Sequence, residues 1–225
     1  MLIAEDLLLL VTDDATGKPV VGSTELDHGL AGGVLLELAM SGRVDVEKGK
    51  GIGRGDRVVV ADASRTGDSV LDHALTRILE KPRKPESVVG ALRKGLRPRL
   101  YERLADHGIL RMEKGRALGL FPSTRWPTVD AAHARQLRQE LNDVLVVGIE
   151  PQPRIGAIVS LLHAIKAVPK VVDSREDKKA AKARAKVIAE GAWAAAAVRK
   201  AVEAVNAATV AAVAAAAAAT NGSGG

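Results

Sequence analysis

The chain has 225 residues, 47% of them hydrophobic and 27% charged, with no cysteine and a formal net charge of +6. That length suits one large domain or two small ones with a core of their own. The lack of cysteine excludes disulfides, thiolate zinc sites and cysteine nucleophiles, and is compatible with a reducing compartment. The four aromatic residues, Tyr101, Phe121, Trp126 and Trp193, are too few for a base-stacking platform, which argues against single-stranded nucleic acid as a partner.

In chain order, Leu2 to Val11 reads as a short helix apolar on most faces, followed by an Asx-type turn at Asp13-Asp14-Ala15-Thr16-Gly17. Its apolar run falls well short of the ~20 residues a membrane span needs and is expected to be neither anchor nor signal peptide. Leu30, Val34, Leu35, Leu38 and Ala39 follow helical spacing and predict a helix over Gly29–Met40, stopped by Gly42, with Gly32 and Gly33 allowing close backbone packing. Val44–Val46 and Val58–Val60 predict a β-hairpin around the glycine run 49–55. Because that run precedes a strand and opens no helix, it is not expected to bind a nucleotide.

Helices follow after Thr66-Gly67-Asp68, ended by Pro82, then from Glu86 through Leu92, then from Pro98 to Ala105, closed by Gly108. A second hairpin is expected with strands at 109–112 and 117–121 around a turn at 113–116, its end set by Pro122 and Pro127. Further helices are expected at 130–147 and 154–168. A long alanine-rich helix should carry a thin stripe of Val198, Val202, Val205, Val210 and Val213, with a disordered tail from Thr220. The predicted class is mainly α, a helical bundle core with surrounding helices and one or two small β-hairpins. The predicted organisation is one domain over 1–205, with 206–225 as the alanine-rich helix end and disordered tail.

No catalytic or metal motif stands out. The five histidines are scattered with no ligand spacing, and there is no HExxH, no G-x-S-x-G elbow and no Walker lysine loop, so no enzyme, cofactor or metal site is expected. The charge is regional instead: Arg83 to Arg125 holds eleven Lys or Arg against four acids, a net of +7 that leaves the remainder near −1. In Arg93-Lys94-Gly95-Leu96-Arg97-Pro98-Arg99, four cations crowd the entrance of a helix, where backbone N–H groups and the helix dipole also favour an anion. Arg93, Lys94, Arg97 and Arg99 are therefore the candidate phosphate contacts, with a solvated charge run as the plainer alternative. Arg116, Leu118, Leu120 and Phe121 on the hairpin are the candidate membrane contacts, cations for anionic lipid and an apolar tip for the headgroup boundary.

Several stretches together resemble the Golgi phosphoprotein family: Glu5-Asp6-Leu7-Leu8-Leu9-Leu10, Gly29 to Arg43, Thr66 to Asp72 and Arg103 to Leu110. The resemblance runs over roughly residues 1–205. Members from eukaryotes are phosphatidylinositol-4-phosphate-binding adaptors of Golgi membranes, and the alanine- and arginine-rich composition here fits a bacterial member. The resemblance implies a helical bundle with a protruding membrane-touching hairpin, a cytoplasmic location peripheral on the inner face of the membrane, and an anionic phospholipid or phosphoinositide-like headgroup as partner. It implies that Lys94 and Arg97 belong to the headgroup pocket, and that Gly22 and Ala31 stand where the family has a tryptophan and an arginine. A weaker or different anionic ligand is then expected. Two readings compete: a winged-helix-like nucleic-acid binder built from helix 98–107 and the hairpin, and an oligomeric scaffold using the alanine-rich helix.

Overall fold

The apolar run after Met1 folds as α1 (Ile3–Leu10), and all eight of its residues are buried, Glu5 and Asp6 included. The structure is a computed structural model and describes residues 1–48, 55–117, 121–191, 194 and 196–221; of 116–117, 121–122, 196–201 and 220–221 it describes the backbone alone. A helix without a polar face must be surrounded. Its main neighbour is α2 (Ser23–Met40), where Gly33 presents bare backbone to Ala4; a Cβ there would lie 3.0 Å from Ala4 Cα. Helix α2 begins at Ser23 rather than Gly29, because Leu26 and His28 are already buried and Gly22 supplies an extended N-cap.

Around α2 the chain builds a mainly α fold with two small hairpins, as the sequence predicts. Strands β1 (Val44–Glu47) and β2 (Arg57–Val60) pair antiparallel, Val44 opposite Val60. Helix α3 (Ser69–Leu79) is capped by Asp68, which accepts from the amides of Val70 and Leu71. Helix α4 (Pro85–Leu92) starts on a proline, and α5 (Leu96–Asp106) starts two residues before Pro98, after Gly95 at φ +72°. The second hairpin has a different register from the one expected: β3 is Glu113–Ala117 and β4 is Phe121–Arg125. The basic residues read as its turn are strand residues, and Pro122 lies inside β4 opposite Arg116, a position a two-stranded hairpin tolerates because it needs no inner ladder bond. Helix α6 (Ala132–Asn142) runs into a π-helical turn at Asp143–Val147, and α7 (Pro153–Ala164) ends before a short α8 (Val168–Val171) that takes Pro169 into its first turn.

Helices α9 (Lys178–Ala189) and α10 (Ala196–Asn221) complete the bundle. Within α10, Val202–Ala219 is apolar and long enough to cross a membrane by composition, with mean hydropathy 1.6. One face of it is nonetheless structural: Val202, Val205, Ala208, Thr209 and Val213 are buried, and α10 packs on α2, α4 and α7. The valine stripe expected from the sequence is thus divided, with Val202, Val205 and Val213 inside and Val210 exposed. The helix continues unbroken through residue 205 and past Thr220 to Asn221, so Thr220 and Asn221 extend it instead of opening the tail. Residues 222–225, the rest of the expected tail, lie outside the described residues.

The two buried acids decide how the helices assemble. Glu5 Oε2 accepts the Leu2 amide at 2.7 Å, and Arg103 of α5 brings Nε to 3.0 Å from Glu5 Oε1, too poorly aligned for a hydrogen bond and so a Coulombic contact. The same guanidinium forks onto Asp68, with Nη1 at 2.9 Å from Oδ1 and Nη2 at 2.8 Å from Oδ2. One arginine thereby joins α1, α5 and the cap of α3. Asp6 is met by Arg154 of α7 through Nε at 2.8 Å, and its other oxygen lies 2.8 Å from His133 Nε2 of α6. Replacing Arg103 by alanine leaves Glu5 enclosed without its countercharge, a defect worth about 3–5 kcal/mol; a urea unfolding curve should show a correspondingly lower midpoint with unchanged slope.

Candidate functional site

The basic segment is shaped by Gly95. Its left-handed backbone turns the chain sharply between Arg93, which caps the C-terminus of α4, and Leu96, which opens α5 and is buried. That turn, together with the helical repeat that points Arg97 and Arg99 to different faces of α5, separates the cations read from the sequence. Lys94 and Arg99, both exposed, line a small cleft of about 80 Å³ with His73, Leu92, Val34 and Val70. Arg97 faces the other way, onto a cleft of about 470 Å³ between α5, the base of the second hairpin and the turn after α1. Arg93 lines neither cleft. The four cations do not share one concavity, and Lys114 of β3, absent from the sequence-based set, joins Arg97 on the larger cleft.

The floor of that cleft is aromatic. Trp126 stacks on Tyr101 with ring centroids 5.0 Å apart and planes 3° from parallel, and both side chains are buried. Trp126 therefore belongs to the core edge and not to a membrane-facing rim. Thr12 Oγ1 donates to Leu8 O at 2.7 Å, so at the 2.9 Å contact with Tyr101 the phenol is the donor; burial pushes the Tyr101 hydroxyl above its ordinary range, against the pull of Arg97. The turn closes on the same place: Trp126 N donates to Gly17 O at 3.0 Å, and a Cβ on Gly17, which sits at φ +61°, would lie 2.3 Å from Pro127 N. Only glycine fits there. The cleft is rimmed by Pro19, Pro98, Glu102, Met112 and Thr124, and its volume falls in the range of small-ligand sites.

Arg97 is already engaged. Its Nε lies 3.1 Å from Asp27 Oδ1 of α2, and both side chains are about one quarter exposed (29% and 27%). Burial pushes the Asp27 carboxyl above its ordinary value, an effect larger than the opposing attraction of Arg97 and then Arg93. Ala31 is fully enclosed, and Gly22 is the exposed N-cap of α2. Of the hairpin residues named from sequence, Leu118 and Leu120 lie outside the described residues, and Arg116 and Phe121 are placed by backbone alone, opposite Pro122 and Ala117.

A family model described as Golgi phosphoprotein 3 (GPP34) matches residues 3–205. The chain belongs to this family. Among curated relatives, the vacuolar protein sorting-associated protein 74 of Eremothecium gossypii is 28% identical over 164 residues, 64% of this chain and 49% of the relative. The protein of the same name from Schizosaccharomyces pombe is 28% identical over 179 residues, 70% of this chain and 53% of the relative. The chain thus spans about half the length of these relatives. Glu5-Asp6 proves to be the buried acid pair of α1, which alternation and spacing in the sequence do not reveal; the signal available was two acids inside an otherwise unbroken apolar run.

The Asp27 geometry has a pH consequence. A carboxyl whose folded value is raised above its unfolded one burdens the fold while ionised, and that burden disappears as pH falls below the unfolded value. Asp27→Asn should therefore be more stable than the parent at neutral pH, with the difference closing as pH falls through the carboxylate range, as measured by urea midpoints at a series of pH values.

Proposed function

We propose that this protein is a peripheral binding domain for anionic phospholipid headgroups of the phosphoinositide type, with no catalytic role. The observation that carries the reading is the 470 Å³ cleft, where Arg97 of α5 and Lys114 of β3 meet over an aromatic floor beside the hairpin. Arginine supplies a forked donor and lysine a mobile point charge, while Tyr101 and Trp126 offer a flat surface for a sugar-like ring. Lys94 and Arg99, on the neighbouring small cleft, and Arg93 add to the positive field that draws the domain to a negative surface. Arg116, Leu118, Leu120 and Phe121 are proposed as the hairpin's membrane contacts, on the cytoplasmic side. Family membership supports an adaptor-like role, and the two fungal relatives carry names from vacuolar protein sorting.

Asp27 stands against tight binding, since a phosphate must compete with it for Arg97. The family's second arginine is replaced by the enclosed Ala31, and each missing charge-assisted contact costs on the order of 1.5–3 kcal/mol. The winged-helix alternative loses ground because Arg103, the one cation past the first turn and a half of α5, is spent internally on Glu5 and Asp68. A recognition helix needs such side chains free to reach bases.

Co-sedimentation with phosphatidylcholine vesicles, with and without phosphatidylinositol-4-phosphate, checks the reading. Binding should require the phosphoinositide, fall with salt, and drop about tenfold or more in Arg97→Ala plus Lys114→Ala. Equal binding to both vesicle types at low ionic strength would sink it.

A further inference from the structure

A second cationic cleft lies at the opposite end of α4. The connection from α3 to α4, residues 80–84, carries Lys81, Arg83 and Lys84, and β2 brings Arg57 alongside. These four, with Pro82 and Ser87, line an open cleft of about 540 Å³ that has no carboxylate in its walls. The backbone holds the charges together: Val58 N donates to Arg83 O at 2.9 Å and Arg57 Nη1 to Pro82 O at 3.1 Å, so the connection is pinned to β2. Pro82 and Pro85 stiffen it further.

The acids around this cleft pair with one of its four cations. Glu80 gives one oxygen to Arg77 at 2.8 Å and the other to Arg83 at 3.0 Å. Glu47 stands opposite Arg57 across the ladder, Asp56 precedes it and Glu86 opens α4, yet among the described residues none of them forms an ion pair with Arg57, Lys81 or Lys84. Arg83 Nε is enclosed and has no acceptor at all. Arg57 differs from Arg103, Arg138 and Arg154, each of which rests on a carboxylate. Arg57, Lys81 and Lys84, like charges side by side without a paired carboxylate, repel one another, and an anion seated among them relieves that repulsion.

We propose that this cleft is a binding site for a phosphoryl group, separate from the Arg97 cleft. Two guanidinium groups, two ammonium groups and a serine hydroxyl approach from β2, the 80–84 connection and the first turn of α4. Donors arriving from three directions suit a tetrahedral anion with three or more free oxygens; a planar carboxylate could use only part of them. Lys84 is the N-cap of α4 and no side chain caps that helix, so its first-turn dipole adds to the same field. No aromatic residue lines the walls, which leaves nothing for a nucleobase to stack on and restricts recognition to the phosphoryl group itself. The site shares no residue with the Arg97 cleft, and it stands or falls independently of the function proposed above. Helix α4, eight residues and so about 12 Å long, separates it from Arg93 and Lys94. A surface bearing many phosphoryl groups would engage both ends of α4 together, each contact raising the effective concentration for the other.

Amide chemical shifts of the full chain, titrated with inorganic phosphate against sodium chloride at equal ionic strength, test this. The amides of Lys84, Glu86 and Ser87 should move saturably with phosphate and not with chloride. They should still move in Arg97→Ala plus Lys114→Ala, and their affinity should drop about tenfold in the exposed pair Lys81→Gln plus Lys84→Gln, with Arg57→Gln as a second probe. Sedimentation with phosphatidylcholine vesicles containing phosphatidic acid then identifies the source. A several-fold loss of vesicle binding in Lys81→Gln plus Lys84→Gln assigns the site to a lipid phosphomonoester; unchanged vesicle binding with lost phosphate response assigns it to a soluble phosphoryl compound. Shifts equal in phosphate and chloride, or equal in the parent and both variants, overturn the proposal.

Discussion

Two carboxylates with no access to solvent govern this fold. Glu5 and Asp6 sit side by side on α1, and a charge removed from water must be met by an opposite charge held in place. Arg103 answers one and Arg154 the other, which obliges α5 and α7 to lie against α1 at fixed points. Because Arg103 also forks onto the cap of α3, the placement of α3, α5 and α1 is a single electrostatic problem with one solution. The apolar core around α2 supplies the driving force, while the acid pairs select which arrangement of helices that force stabilises.

Much of the helical architecture was legible because periodicity and caps are local. The Thr66-Gly67-Asp68 cap, the glycine stops at Gly42 and Gly108, and the close approach at Gly33 all appear where the sequence places them. The second hairpin was misread in register. Glycine in Glu113-Lys114-Gly115-Arg116 looks like a turn, but β3 pairs straight through it, and Pro122, which reads as a terminator, is harmless on a ladder of only two strands. Burial of charge was invisible as well. An alternation rule has no means of distinguishing an acid that faces water from one that faces an arginine 98 residues further on, as Glu5 faces Arg103.

The candidate site shows the same division between local and non-local information. Of the four cations read at the helix entrance, Arg93 and Lys94 precede α5 and Arg97 and Arg99 lie in its first turn, so their directions follow from the Gly95 turn and the helical repeat together. Gly95 sets Lys94 off from α5, and the helical repeat turns Arg97 and Arg99, two residues apart, to different faces. Lys114 shares the Arg97 cleft because the base of the hairpin and α5 border the same space, a relation that no spacing within 93–99 encodes. Charge density in sequence marks the region, and the backbone decides which of its charges share a cleft. Asp27, silent in the sequence, takes a direct part by occupying Arg97.

The Tyr101–Trp126 stack has a practical corollary. The chain contains only two tryptophans, and one of them forms the floor of the Arg97 cleft, in ring-to-ring contact with the sole tyrosine. Indole emission responds to nearby polarity and to what packs on its face, so occupancy of the cleft writes itself into the intrinsic fluorescence of the molecule. With Trp193 changed to phenylalanine, the protein becomes its own single-colour sensor, requiring no attached dye.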